Sequence, residues 1–154
     1  MKWITRERPK IDRLACPWLI RKFIDPKAEF LYVPSDKVMS TAKIEDAIPY
    51  DVPGVELTHD GALCSFDAFI KKYNLHDPAL KRLALIIRAA DTDTLEKDQA
   101  AYGLLAITLG LAKNMTDDHQ LLEYAMTMYD GLYTWCAELI NEEHGWYPEQ
   151  IKMS

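Results

Sequence analysis

The chain has 154 residues, of which 49% are hydrophobic and 27% charged, and its formal net charge is −6. This length suits one domain. The acidic balance argues against a general nucleic-acid binder, which usually carries a basic excess. No run of about 18 apolar residues predicts a membrane helix, and residues 1–10 lack the apolar stretch of a signal peptide. We therefore expect a cytoplasmic protein with reduced cysteines.

Three short strands are predicted in the first 60 residues. Alternating apolar and polar side chains indicate a strand over residues 2–6. A second strand is predicted over the apolar residues 30–33, stopped by Pro34, and a third over residues 55–59. The turn residues Asp60 and Gly61 end the third strand. These strands are enough for a small sheet only.

The rest of the chain is predicted to be helical. The first helix spans residues 14–24, and its regular part is expected to begin at Pro17, because proline costs about 3 kcal/mol deeper in a helix. Cys16 then lies near the N-cap. Further helices are predicted from Ser35 and over residues 65–73, 77–90, 98–112 and 116–141.

Two of these helices carry packing signals. Gly103 and Gly110 would allow another helix to approach closely, and the apolar stripe of the last helix includes Cys136, which we expect in the core. Together the elements predict a mainly α fold with a small β-sheet (α+β), about six helices and one long C-terminal helix. The single domain is expected over residues 1–145, followed by a polar tail over residues 146–154.

Four polar residues lie where a metal site needs them. Asp91 puts a carboxylate on the buried face of its helix, where an unpaired charge costs several kcal/mol. His119 and Glu123 are four residues apart on the last helix, so they share a face and can hold a divalent ion together. His59 ends a predicted strand at a glycine turn, a position that often faces a cleft.

Each of these residues also has a structural interpretation. Asp91 can pair with Arg88 or Arg13, or cap the loop that follows it. The pair on the last helix can form a surface hydrogen bond, and the histidine at the strand end can be a hydrogen-bonded structural residue.

Thiols and arginines offer a second kind of chemistry. Cys16 and Cys64 each lie near a predicted helix start, and a helix N-terminus lowers the pKa of a thiol; the alternative is a small buried hydrophobe. Arg13 and Arg21 belong to a basic N-terminal segment and can bind an oxyanion with two hydrogen bonds. The alternative is a solvated face attracted to the acidic C-terminal part.

Several common catalytic motifs are absent from the sequence. It has no glycine-rich nucleotide loop, no serine-hydrolase elbow, no HExxH and no EF-hand loop. Metal, thiol and oxyanion chemistry therefore remain as the candidate activities.

Four sequence segments, in the same order along the chain, together form a specific pattern. They read KWITRERPKIDRLACPWLIRKFID, DVPGVELTHDGALCSFDAFI, IIRAADTD and DDHQLLEYAMTMYDGLYTWC. Over nearly the whole chain, this set resembles the ChrB-type chromate resistance domain. In that family the domain forms the C-terminal half of chromate-responsive regulators, is fused to a rhodanese-like sulfurtransferase domain, or stands alone. Because the chain begins at the opening motif, we expect the stand-alone form, without the part that would touch DNA.

The resemblance implies a role in chromate resistance and brings the polar residues into one hypothesis. The predicted ligands of one divalent transition-metal ion (Mn, Fe or Zn) are His59, Asp91, His119 and Glu123. The two arginines would hold an oxyanion such as chromate beside the ion, and Cys16 or Cys64 would supply electrons. The alternatives are a non-catalytic sensor and a helical interaction domain. Expected partners are the metal or oxyanion and a second copy of the chain in a homodimer, but neither nucleic acid nor a membrane.

Overall fold

The first 50 residues of the chain build a parallel sheet in the structure, a computed structural model that describes residues 1–145. The strands are β1 (Lys2–Arg6), β2 (Glu29–Val33) and β3 (Ala47–Pro49), in the spatial order β2–β1–β3. Both pairings are parallel, so the carboxyl ends of all three strands lie at one edge of the sheet. In open α/β sheets, ligands commonly bind outside that edge.

Helices connect the strands and cover the sheet. Those within the described residues are α1 (Asp12–Leu19), α2 (Val38–Glu45), α3 (Ser65–Lys72), α4 (Pro78–Asp91), α5 (Gln99–Asn114) and α6 (Asp118–Thr134). α1 continues as a π-helical segment over Ile20–Ile24, and α6 continues as another over Trp135–Leu139. α1 and α2 are the crossovers that parallel strands require. The predicted α+β class is confirmed.

Aspartates begin the three long helices where the sequence predicted their starts. The side chains of Asp77, Asp98 and Asp117 accept backbone N–H groups of the first turns of α4, α5 and α6. Pro78 fills the first position of α4, where no N–H is needed. These caps explain why the starts could be predicted from local sequence.

The third strand is not where the sequence predicted it, and that prediction is wrong. Residues 55–58 form bends and residue 59 is irregular, and the segment is tied to the fold by a 2.8 Å hydrogen bond from the Asp51 N–H to the Leu57 carbonyl. The observed β3 has three residues and ends in Pro49. Three residues are too few to show an alternating pattern, and proline is normally confined to strand edges and ends.

The first helix begins at Asp12, five residues before Pro17, so the predicted start at the proline is also wrong. Proline has no N–H to donate to the Arg13 carbonyl one turn earlier. The hydroxyls of Tyr32 and Tyr50 instead lie 3.5 Å from that oxygen and donate to it. A tertiary contact thus satisfies the carbonyl that the proline leaves without a backbone donor.

One large core joins the sheet to the helices. Trp3, Trp18, Phe66 and Tyr129 are among its largest buried side chains, and Cys136 is 1% exposed, as predicted. None of the helices in the described part of the chain has the length and apolar character of a membrane span. The predicted tail of residues 146–154 lies outside the described residues.

Candidate metal centre

Three aspartates and one histidine meet at the carboxyl edge of the sheet. Asp12 begins α1 just after β1, and Asp51 follows β3. Asp91 is the last residue of α4, and His59 lies in the loop that precedes α3. Four separate segments therefore converge on one place in the fold.

The imidazole of His59 lies at the centre of this group. Its Nε2 atom is 2.8 Å from a carboxylate oxygen of Asp91, 3.4 Å from one of Asp12 and 3.4 Å from one of Asp51. Ligand atoms of Asp12, His59 and Asp91 all lie within 4.8 Å of one another. Donor atoms bound to one ion at about 2.0–2.2 Å are separated by roughly 3–4 Å, so small side-chain shifts would allow all three to bind the same ion.

Asp12 is held in place by the helix it faces. Its carboxylate accepts the backbone N–H groups of Ser65 (2.6 Å) and Phe66 (2.9 Å) at the start of α3. Its own N–H donates to the Asp91 carboxylate at 3.3 Å. Because these contacts fix the side chain before any ion binds, the carboxylate is preorganised as a ligand.

Asp51 is already engaged on its other side. Ser65 Oγ donates to one of its oxygens at 2.7 Å. The other oxygen lies 3.1 Å from Arg6 Nη2 and 3.5 Å from Arg13 Nε. Asp51 therefore links the acidic group to two guanidinium groups and need not act as a ligand itself.

The three carboxylates lie close together and partly out of water, which disfavours the ionisation of all three at once. Burial and the charges of Asp12 and Asp51 raise the pKa of Asp91 to about 7. The hydrogen bond to Asp12, with the charges of the three aspartates, raises the pKa of His59 to about 9. Asp12 is 1% exposed but His59 is 41% exposed, so a cation can reach the carboxylates from the solvent side.

The structure does not bring His119 and Glu123 to this group. The His119 ring packs against Tyr32, with 5.5 Å between ring centroids, and Glu123 pairs with Arg21 at 3.1 Å. These partners lie on β2 and in the π-helical segment that continues α1, whereas α4 contacts α1 elsewhere. The predicted arrangement of four ligands is therefore corrected: His59 and Asp91 meet Asp12, not the pair on α6.

Both candidate thiols are buried and protonated. Cys16 is the fifth residue of α1, not an N-cap residue, and burial raises the pKa of its thiol. The prediction that a helix N-terminus lowers the pKa of Cys64 is wrong, because burial and the charges of Asp12 and Asp67 raise it. Both carboxylates accept hydrogen bonds at the start of α3 and offset the field of that helix.

The two candidate oxyanion ligands already have partners. Arg13 donates to the carbonyl groups of Arg6 and Glu7 at 3.0 and 2.9 Å, in addition to its contact with Asp51. Arg21 pairs with an acid on α6 and lies over the ring of Phe30. Arg13 therefore borders the acidic group, whereas Arg21 belongs to the contact between α1 and α6.

The structural alternative for Asp91, an ion pair with Arg88 or Arg13, is not what the structure shows. Arg88 makes a two-pronged bond to Asp67, at 2.9 and 2.6 Å. The partners of Asp91 are the His59 ring and the Asp12 backbone.

Sequence reasoning missed Asp12 and Asp51. Both follow strands of the parallel sheet, and residues after such strands line its ligand-binding edge. Placing the third strand at residues 55–59 moved its predicted end from Asp51 to His59. A correct position for β3 would have provided the missing signal.

Comparisons with known proteins agree on one family. The family model described as the C-terminal domain of ChrB matches residues 3–136. Protein ChrB of Cupriavidus metallidurans is 34% identical over 134 residues, which cover 86% of this chain and 40% of that protein. The chain thus spans about 40% of the length of this relative. No solved structure matches the chain.

Proposed function

Because the chain belongs to the family of the ChrB C-terminal domain, we propose that it is a metal-dependent binding domain of the chromate response. It binds one divalent transition-metal ion through Asp12, His59 and Asp91. The ion in turn provides the positive charge that holds an oxyanion such as chromate. The chromate context comes from the family resemblance, and the metal site comes from the residues of this chain.

One observation carries the proposal: two carboxylates and an imidazole present donor atoms within 4.8 Å of one another. Partly buried carboxylates that lie this close together repel one another, and a divalent ion would offset that repulsion. Mixed oxygen and nitrogen donors favour Mn, Fe or Zn over Ca or Mg. The exposed edge of His59 leaves room for solvent or an anion on the remaining positions of the ion.

Charge determines which ligand can bind. Without an ion, the three carboxylates of the group face the guanidinium groups of Arg6 and Arg13 and the protonated imidazole of His59. With all three carboxylates ionised these charges cancel, so the group has no net positive charge that would attract an anion. A divalent ion that displaces the His59 proton leaves one net positive charge. An oxyanion is therefore expected to bind only after the metal.

The burial of both candidate thiols favours a binding role over the donation of electrons. Cys16 and Cys64 are fully buried, and reaction as a nucleophile or reductant requires an accessible thiolate. We therefore place the function in metal and oxyanion binding, with the sensor interpretation preferred to catalysis.

Metal titration tests the proposal. Protein stripped with a chelator is titrated with Mn²⁺ and Zn²⁺ by calorimetry, and we expect one ion per chain. Asp91→Asn should weaken binding by about 100-fold or more, because even partners of ligands cost 10- to 100-fold. The matched control is Asp93→Asn, which removes the same charge from an exposed position two residues away. Its left-handed backbone (φ 57°) also suits asparagine.

A second arm tests the anion. Equilibrium dialysis with chromate, and with molybdate as a non-oxidising analogue, should show binding to the metal-loaded protein and none to the stripped protein. Equal anion binding in both states would contradict the metal-dependent step. Failure of any divalent ion to bind would leave His59 as a structural counter-ion and overturn the proposal as a whole. Steady turnover of chromate with a physiological reductant would show an enzyme instead of a sensor.

A further inference from the structure

The solvent-facing side of α5 is apolar. Among its 16 residues only Lys113 is charged. Tyr102 and Ile107 are each 54% exposed, and Leu109 is 46% exposed. A surface helix normally turns its charged side to water, and a contiguous exposed apolar patch usually marks an interaction site.

Small residues form the middle of this face. Gly103, Ala106 and Gly110 are spaced by three and four residues, so they lie along one line of the helix. A Cβ atom placed on either glycine would meet no other atom within 4 Å. Glycine inside a helix costs about 1 kcal/mol relative to alanine, and contacts within the chain do not require it here. The result is a flat floor on which another helix can lie closely.

A groove extends the face toward α6. It has a volume of about 440 Å³ and is lined by Ile107, Met128, Gly131 and Trp135, among others. Tyr124, which is 56% exposed, lies one turn before Met128 on the same side of α6. The floor of α5 and this groove form one surface, which we call the α5 face.

We propose that the α5 face binds a second copy of this chain, with the two α5 helices antiparallel about a two-fold axis near Ala106 and Ile107. In this register Gly103 lies opposite the partner's Gly110, and the reverse contact forms by symmetry. Each Ile107 then packs beside the small residues of the other helix. The large side chain of Ile107 on each copy thus fits against small residues of the other copy, so the face is complementary in shape to a second copy of itself.

Charge favours a second copy over other occupants. Two chains with a net charge of −6 each repel one another, and this repulsion is weakest where the contacting faces lack acidic groups. The α5 face meets that requirement, and its single positive charge, on Lys113, is too little to bind nucleic acid or an acidic peptide. In the antiparallel register, Lys113 also comes near the start of the partner's α5, where the partner's Asp98 lies.

The expected affinity is modest. A helix of 16 residues is about 24 Å long, and with the groove it offers an interface near the lower end of the usual range of roughly 600–1,000 Å² per partner. We therefore expect a dimer with a dissociation constant in the micromolar range. The inference does not rest on the metal site.

Sedimentation equilibrium of the purified chain tests the interface. Over protein concentrations from about 1 µM to about 1 mM, the mass should rise from 17.7 kDa toward twice that value. Ile107→Glu puts two acids at the two-fold axis and should keep the protein monomeric throughout. The matched control is Ile44→Glu on α2, which changes an 81% exposed isoleucine remote from the face and should leave the dimer intact. Circular dichroism confirms that both variants fold.

Disulfide cross-linking determines the register of the two α5 helices. The native cysteines are all buried, so an introduced thiol reacts without competition from them. A mixture of Gly103→Cys and Gly110→Cys chains should form a mixed disulfide faster than either variant pairs with itself. A monomer at every concentration, or a dimer that survives Ile107→Glu, would overturn the proposal. Faster pairing within each variant would refute the antiparallel register.

Discussion

His59 and Asp91 form the closest contact of the candidate metal centre, with 2.8 Å between Nε2 and a carboxylate oxygen. The contact joins the loop before α3 to the last residue of α4. With no ion bound, the protonated imidazole acts as the counter-ion of the aspartates. A metal must displace that proton to use the same nitrogen, so proton and metal compete for one position.

The first prediction is that metal affinity increases with pH. The raised pKa of His59, about 9, and of Asp91, about 7, mean that both groups hold protons that an ion must release. Between about pH 7 and 9, log Kd for Mn²⁺ should fall by about one unit per pH unit. Calorimetry in buffers of different ionisation enthalpy counts the released protons.

His59→Gln provides the control for this prediction. Glutamine keeps a polar side chain of similar reach but does not titrate. The variant should bind metal more weakly, with a flatter pH dependence in the same range. A Kd that does not change with pH in the parent protein would mean that the ion binds elsewhere.

The second prediction concerns the stability of the metal-free protein. The folded state raises the pKa of Asp91 from its ordinary 3.8 to about 7. The stability that protonated Asp91 contributes is therefore complete below pH 3.8 and is lost as pH rises through about 7. His59 behaves in the same direction, with a contribution that is full below 6.5 and lost as pH rises through about 9. The free energy of unfolding should therefore fall between about pH 6 and 9, as measured by urea denaturation.

Two comparisons identify the source of that loss. A saturating divalent ion should restore stability at high pH, because it binds the folded state only. Asp91→Asn should flatten the curve without any metal. A parent protein that grows more stable over the same range would contradict the assigned pKa directions.

Local chemistry made most of the fold predictable. Asp77, Asp98 and Asp117 cap helices within their own segments, so a single sequence carries the whole signal. Alternation placed the first strand, and a short apolar run stopped by Pro34 placed the second, for the same reason. The buried thiol of Cys136 followed from the apolar stripe of α6.

The features that sequence reasoning missed depend on contacts between distant segments. Pro17 is accepted inside α1 because two tyrosine hydroxyls from β2 and from the end of β3 satisfy the carbonyl of Arg13. Asp12 belongs to the candidate site because the start of α3 packs against it. His59 and Asp91 could be singled out as misplaced polar groups, but only the tertiary fold reveals their partners.

The third prediction is that all three thiols resist modification in the folded protein. Cys16 and Cys64 have no exposed surface, and Cys136 is 1% exposed. Burial is the main cause that raises their pKa values. A thiol reagent at pH 8 should react only as fast as the protein opens, and rapidly with all three in urea. Fast labelling of Cys64 in the native state would reinstate it as a reactive group.

The fourth prediction separates structural from functional acids on neighbouring helices. The two-pronged bond of Arg88 holds Asp67, whose side chain is only 9% exposed. Arg88→Met leaves that carboxylate without its cation and should lower the free energy of unfolding by roughly 2–4 kcal/mol, somewhat less than for a fully buried pair because Arg88 is partly exposed. Urea denaturation measures the loss.

The control is Arg82→Met, which removes the same charge from an exposed position of α4 and should change stability by less than about 0.5 kcal/mol. Metal affinity should be unchanged in both variants at a temperature where they are folded, because Asp91 is held by His59 and the Asp12 backbone, not by Arg88. If Arg88→Met instead removed metal binding while the protein stayed folded, Asp67 and Arg88 would belong to the centre, and the ligand set of Asp12, His59 and Asp91 would be incomplete.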